Sequence, residues 1–155
     1  MSKIAGLFAA AHQGLVENET LEFGCFPNFV AQKINMETGV NIKGAKRLIT
    51  SSGISHAIKQ HGNDQLEKQR GQKGLTVSDF ELIPTIIANY DRVEKGHENR
   101  GCKGLLFIKQ INDVDYYVAM KLRTNGGDSK LEFATMYAKH KKSQCINTPA
   151  SNKLL

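Results

Sequence analysis

Cysteine is scarce in this chain and poorly placed for bonding. Cys25, Cys102 and Cys145 are odd in number, far apart and in no CxxC spacing. That argues against both a disulfide framework and a thiolate zinc site, and makes a reducing compartment the simplest fit. Long apolar runs are missing as well. The stretch from Ile4 to Ala11 follows a single lysine and is followed at once by His12, which makes it a poor signal peptide and too short to cross a bilayer. A cytoplasmic location is expected, although a toxin delivered as part of a larger protein would equally lack a signal of its own. The three prolines are scattered, and there is no repeat or low-complexity block. Also absent are a GxxxxGK[ST] phosphate loop, a GxSxG elbow and an HExxH metal helix. Gly101-Cys102-Lys103-Gly104 reads as a turn rather than a cradle, so no cofactor is expected.

What is present is ordinary globular composition with a positive bias. The 155 residues are 40% hydrophobic and 23% charged, with a formal charge of +6. This fits one domain over residues 1–155, with a helical part at 1–39, a core at 40–138 and a basic tail at 139–155 whose composition suggests disorder. Residues 1–42 carry Lys3 and Lys33 against Glu17, Glu19, Glu22 and Glu37, a balance of −2, which leaves +8 for the rest. Residues 43–73 concentrate this charge, with seven cations against Asp64 and Glu67. A polyanion such as nucleic acid is the partner such a distribution favours; a solvated face is the plainer alternative.

Periodicity divides the chain into helices first and strands afterwards. Residues 1–24 read as a helix and a loop. Pro27 with Phe29, Val30 and Ile34 predicts a second helix ending near Gly39, and Val40-Asn41-Ile42 a short strand. Ser51 or Ser52 is placed to cap a helix with Ile54, Ala57 and Ile58 on one stripe and Gly62 at its end. Thr76 and Asp79 approximate a capping box opening a helix through Ile87, which Pro84 should kink or divide. After residue 100 the period becomes alternating. Leu105–Ile108, Tyr116–Met120 and Leu131–Tyr137 read as strands, with turns at Asn112-Asp113 and Asn125-Gly126-Gly127 and a weaker strand within 92–98. The predicted fold class is α+β, with N-terminal helices packed on one face of a C-terminal antiparallel meander of about four strands.

Two groups of residues stand out chemically. His56 and His61 flank Lys59 on the third helix, but five residues put them about 140° apart on the helical wheel, unlike the i, i+4 pair that shares a metal. His61 follows the apolar stripe. It is either a helix-end residue favoured by the dipole or an imidazole held towards the sheet as an acid or base. His56 is as readily a surface histidine as a catalytic one. On the strands, alternation places Leu131, Phe133, Thr135 and Tyr137 on one face, and Lys109 with Leu105 and Phe107. If those faces coincide, Lys109, Thr135 and Tyr137 cluster at one sheet edge; otherwise they end two ordinary amphipathic strands. Residues 67–72 read as a polar loop in which Arg70 is the better phosphate ligand.

In order along the chain stand Ile34-Asn35 to Gly39-Val40-Asn41, the helix bearing His56-x-x-x-x-His61-Gly62, Arg70-Gly71-Gln72, Asp79-Phe80 and Ile83-Pro84-x-Ile86-Ile87. Strands with Phe107-Ile108-Lys109 and Thr135-x-Tyr137 follow. This order, over roughly residues 36–138, resembles the phage-associated barnase/EndoU/colicin/RelE-like (BECR-fold) nucleases. The resemblance implies helices on a four-stranded antiparallel sheet and a metal-independent endoribonuclease of prophage or toxin type. Such an enzyme uses the ribose 2′-hydroxyl as nucleophile and leaves a 2′,3′-cyclic phosphate. Carried over by motif, His61 and His56 become acid/base candidates, Lys109 and Arg70 stabilisers of phosphate charge, and Thr135 and Tyr137 orienting donors; Lys59 and Arg123 are further candidate substrate-binding cations, and no metal ligand is expected. The implied partners are RNA, with tRNA among the targets, and a cognate inhibitor or immunity protein; no membrane partner is implied. The acidic residues 1–30 have no counterpart in the resemblance, nor does the chain carry the head-assembly module often fused to such domains. A module that binds nucleic acid without cutting it, and a phage-derived assembly or interaction protein with a degenerate site, are the competing readings.

Overall fold

Capping accounts for where the central helices begin and end. The computed structural model describes residues 3–12, 19–98, 100–125 and 127–140. Helix α1 covers Lys3–His12 and α2 covers Asn28–Thr38, which starts after Pro27 and ends on Gly39 at φ 77°, a left-handed stop that glycine adopts without strain. Helix α3, Ser51–His61, is capped one residue earlier than predicted: Thr50 Oγ1 accepts the Gly53 N–H at 3.0 Å. Of the polar loop expected over 67–72, residues 67–69 belong instead to α4, Asp64–Gln69, whose start is capped by Asn63 Oδ1 accepting the Leu66 N–H at 3.1 Å. The Thr76 N–H donates to Asp79 Oδ2 at 2.8 Å and opens α5, Val77–Glu81. Pro84 then divides the apolar run, so that Ile83–Ala88 forms a separate α6. Among the described residues no helix is long and apolar enough to cross a membrane.

The strands are β1 (Thr20–Glu22), β2 (Lys46–Thr50), β3 (Arg92–Lys95), β4 (Gly104–Ile111), β5 (Val114–Asn125) and β6 (Asp128–His140), in the spatial order β1-β2-β6-β5-β4-β3. The meander β3 to β6 is antiparallel as expected, and positive φ at both Asn112 and Asp113 gives the β4–β5 hairpin its tight turn. The sheet has six strands rather than about four. β2 joins β6 in parallel, and β1 pairs antiparallel with β2, drawing residues near the N-terminus into the same sheet. Lys46 and Arg47 disguise β2 in the sequence. The Arg47 guanidinium lies 5.0 and 4.7 Å from the Phe23 and Phe26 ring centres and donates to the Phe23 carbonyl at 2.8 Å, so the charge is accommodated in a strand. Val40-Asn41-Ile42 forms no strand. Val40 and Ile42 are buried, and the Asn41 side chain accepts the Lys43 N–H to make a turn. The expected disordered tail from residue 141 onward, and Gly126 of the predicted turn, lie outside the described residues.

Helices cover one face of the sheet. Tyr116, Val118 and Met120 of β5 share that face with Leu105 and Phe107 of β4, packing with Phe80, Ile83, Ile86 and Ile87 in a continuous core. Each such side chain removed from water contributes roughly 1.5–3 kcal/mol. Asp79 anchors the layer, taking the Tyr116 hydroxyl on Oδ1 at 2.6 Å and Lys73 Nζ on Oδ2 at 2.6 Å. Burial alone would push its carboxyl up, but the bonds from Lys73, Tyr116 and Thr76 outweigh burial and hold it below the usual range. The opposite face carries Tyr117, Ala119, Lys121, Thr135 and Tyr137, which are half-buried, and Ile108, which is buried.

Candidate active site

Two features of β6 build the site. β2 pairs only with its beginning, Lys130 to Glu132, so α3 runs on alongside the remaining edge. It approaches so closely that a Cβ on Gly53 would stand 2.9 Å from the Phe133 carbonyl oxygen. From this edge α3 reaches both sides of the sheet. Ile54 and Ala57 enter the core, whereas His61 meets Tyr137, the ring centres 5.9 Å apart. The second feature is a β-bulge: Ala119 opposes Thr135 but Met120 opposes Phe133, leaving Ala134 unmatched. The bulge reverses the alternation. Leu131 and Phe133 point to the core, as do Met136 and Ala138, while Thr135 and Tyr137 turn to the open face.

The expected cluster of Lys109, Thr135 and Tyr137 therefore does not form. Lys109 opposes Tyr116 and lies on the helical face, its Nζ 3.4 Å from Asp91 Oδ1, whereas Tyr137 opposes Tyr117 on the other face. Unbroken alternation would have kept Thr135 and Tyr137 with Phe133; one extra residue separates them. Thr135 is on the open side, but its Oγ1 is buried and without a partner among the described residues, so it is not presented as a donor.

At the end of α3 the structure assembles an acid–imidazole pair. His61 Nδ1 lies 2.5 Å from Glu67 Oε1; the His61 side chain is 13% exposed and that of Glu67 fully buried. Glu67 Oε2 accepts from Arg70 Nη1 at 2.9 Å, and the same nitrogen donates to the Gln60 carbonyl at 2.7 Å. An ionised carboxylate only accepts, so the pair assigns the proton to Nδ1 and leaves Nε2 as the basic nitrogen. Arg70 thus braces Glu67 through Nη1, while half of its side chain stays exposed. Tyr137 stacks on Tyr117 at 4.7 Å and 8°, and Lys139 Nζ sits 5.3 and 5.8 Å from the two ring centres. Burial, then Tyr117 and Glu94, raise the Tyr137 phenol above its ordinary value and keep it protonated.

His56 is exposed and separate from this group. It borders a groove of about 330 Å³ with Ser52, Lys121, Arg123 and Glu132, where Arg123 Nε donates to Glu132 Oε1 at 2.9 Å. Lys59 is exposed on α3. Sequence reasoning missed Glu67, Tyr117 and Lys139. Glu67 sits beyond a helix break from His61, and only its occurrence as an acid in a cationic segment marked it; Tyr117 was legible as a strand residue but not as a partner. Among the described residues no group of three or more His, Cys, Asp or Glu is arranged to hold a metal ion.

Residues 28–144, which contain α3, the His61–Glu67 pair and the whole meander, match the family model described as phage-Barnase-EndoU-ColicinE5/D-RelE like nuclease 3. The chain belongs to this family. Its α+β architecture, helices against a largely antiparallel sheet, is consistent with the fold of these phage-associated nucleases. The chain is also 31% identical over 103 residues to a phosphatidylserine decarboxylase proenzyme of Clostridium botulinum (strain Kyoto / Type A2), a match covering 66% of this chain and 31% of that protein. It thus spans about a third of the length of that relative. No solved structure matches this nuclease family member significantly.

Proposed function

We propose that this nuclease is an endoribonuclease, working without a metal, whose centre is His61 with Tyr137 beside it. The observation that carries the reading is the buried Glu67 carboxylate on His61 Nδ1, next to a stacked tyrosine pair on the sheet face opposite the helical core. Glu67 fixes the ring and compensates the charge it gains on taking a proton. In the proposed reaction His61 Nε2 removes the proton of a ribose 2′-hydroxyl, and O2′ forms a bond to phosphorus as the bond to O5′ breaks. The departing O5′ takes its proton from the Tyr137 phenol, leaving a 2′,3′-cyclic phosphate and a 5′-hydroxyl; solvent returns the proton from His61 to Tyr137. Lys139, whose Nζ lies 5.8 Å from the Tyr137 ring centre, stabilises the phosphoryl oxygens. Lys109, on the far face, is given no part, and Arg70 acts through Glu67. A prophage or toxin setting, with an inhibitor covering the same face, fits this assignment.

The stacked tyrosines under a lysine also favour a second reading, retention of RNA without cleavage, because such platforms hold bases irrespective of sequence. Incubating the protein with total RNA in EDTA, beside His61→Ala, separates the two. Cleavage by wild type to cyclic phosphate ends, lost in the variant, supports the enzyme. Salt-sensitive retention without cleavage supports the binding module, and the absence of both cleavage and retention supports neither reading.

A further inference from the structure

We infer that the groove beside His56 is a second phosphate subsite, which makes the substrate an extended single strand laid along β5; the inference rests on the proposed nuclease reading. Register puts Tyr117, Lys121 and Arg123 on the same face of β5, since they oppose Tyr137, Glu132 and Lys130. Four residues of strand separate the tyrosine platform from Lys121 by about 13 Å, too far for the phosphate at His61 to reach both. The groove holds about 330 Å³ and gathers Lys121, Arg123 and His56 around a single carboxylate, Glu132. Glu132 is already engaged by Arg123 Nε at 2.9 Å, an arrangement that orients the guanidinium, while Lys121 has no ion pair among the described residues. The surplus charge is positive, and an arginine fork beside an ammonium suits a phosphodiester. A base stacking on Tyr117 and Tyr137 must leave its own helical stack. A duplex therefore engages the tyrosines and the groove together poorly, and an unpaired strand engages them well.

The test uses the full chain and two oligonucleotide sets. A single-stranded deoxy-oligonucleotide of about eight residues, which lacks the attacking hydroxyl, reports binding alone by anisotropy. Ribo-oligonucleotides of two and eight residues report cleavage. The double variant K121A/R123A is expected to weaken the deoxy strand roughly tenfold at physiological salt and to lower the slope of log K against log salt by about 1.4, near 0.7 for each lost contact. It should raise KM on the eight-residue RNA without changing kcat, leave the dinucleotide unaffected, and regain binding in K121R/R123K. Duplex should compete worse than single strand. Equal effects on long and short substrates, or an unchanged salt slope, would overturn the subsite. Should wild type cut no RNA, the nuclease reading fails while the deoxy strand still decides the groove.

Discussion

Replacing Glu67 by Gln removes one charge and almost no volume, and so tests the acid–imidazole pair directly. The amide oxygen can still accept from His61 Nδ1, which turns the amide nitrogen, a donor, towards Arg70 Nη1, now held at 2.9 Å. If the amide turns the other way, it offers a donor to His61 and favours the wrong tautomer. A charge-assisted bond to a buried carboxylate contributes about 1.5–3 kcal/mol. Arg70 is 50% exposed, so its share is discounted for solvent screening. The expected stability loss is about 2 kcal/mol against the roughly 5–15 kcal/mol of a small domain, which leaves the protein folded. Activity should fall much further. Loss of the orienting acid of a catalytic histidine costs on the order of 10³–10⁴ in kcat, and three decades correspond to about 4 kcal/mol. The measurements are kcat/KM on a labelled RNA and a denaturant unfolding curve from the same preparation. An E67Q protein that stays folded and keeps kcat within about threefold of wild type would refute the reasoning.

Three further outcomes follow from packing and charge. Gly53→Ala forces a methyl against the Phe133 carbonyl oxygen, at 2.9 Å from a backbone atom that cannot swing aside; chemical denaturation should show a loss of about 1–3 kcal/mol despite alanine's better helix propensity. Asp79 has a lowered carboxyl pKa in the fold, so its stabilisation is complete above the unfolded value of 3.8 and is lost as pH falls from there through the folded value. Unfolding free energies between pH 5 and 2 should thus slope less in Asp79→Asn than in wild type, and parallel slopes would contradict the assignment. Burial raises Tyr90, Tyr116 and Tyr137, the second also through Asp79. Tyrosinate absorbance should accordingly show a late-ionising fraction above pH 10, one component of which disappears in Tyr137→Phe.

Local chemistry made much of the framework readable in the sequence. Gly39, Asn112-Asp113, the Thr76/Asp79 cap and Pro84 act within a few residues of themselves, and the elements they bound appear where their spacing put them. The order of helices before a meander, and the motifs that resemble the phage nucleases, were legible for the same reason. Tertiary structure alone decided the candidate site. A single unmatched residue, Ala134, inverts the phase of a strand and sends Tyr137 to the face opposite Lys109, and no propensity records that insertion because it exists only relative to β5. Likewise the parallel pairing of β2 with β6, and the meeting of Glu67 with His61 across a helix break, depend on which surfaces come together in the folded chain. Sequence periodicity specifies what each segment presents, whereas the packing of one segment on another determines which groups share a reaction space.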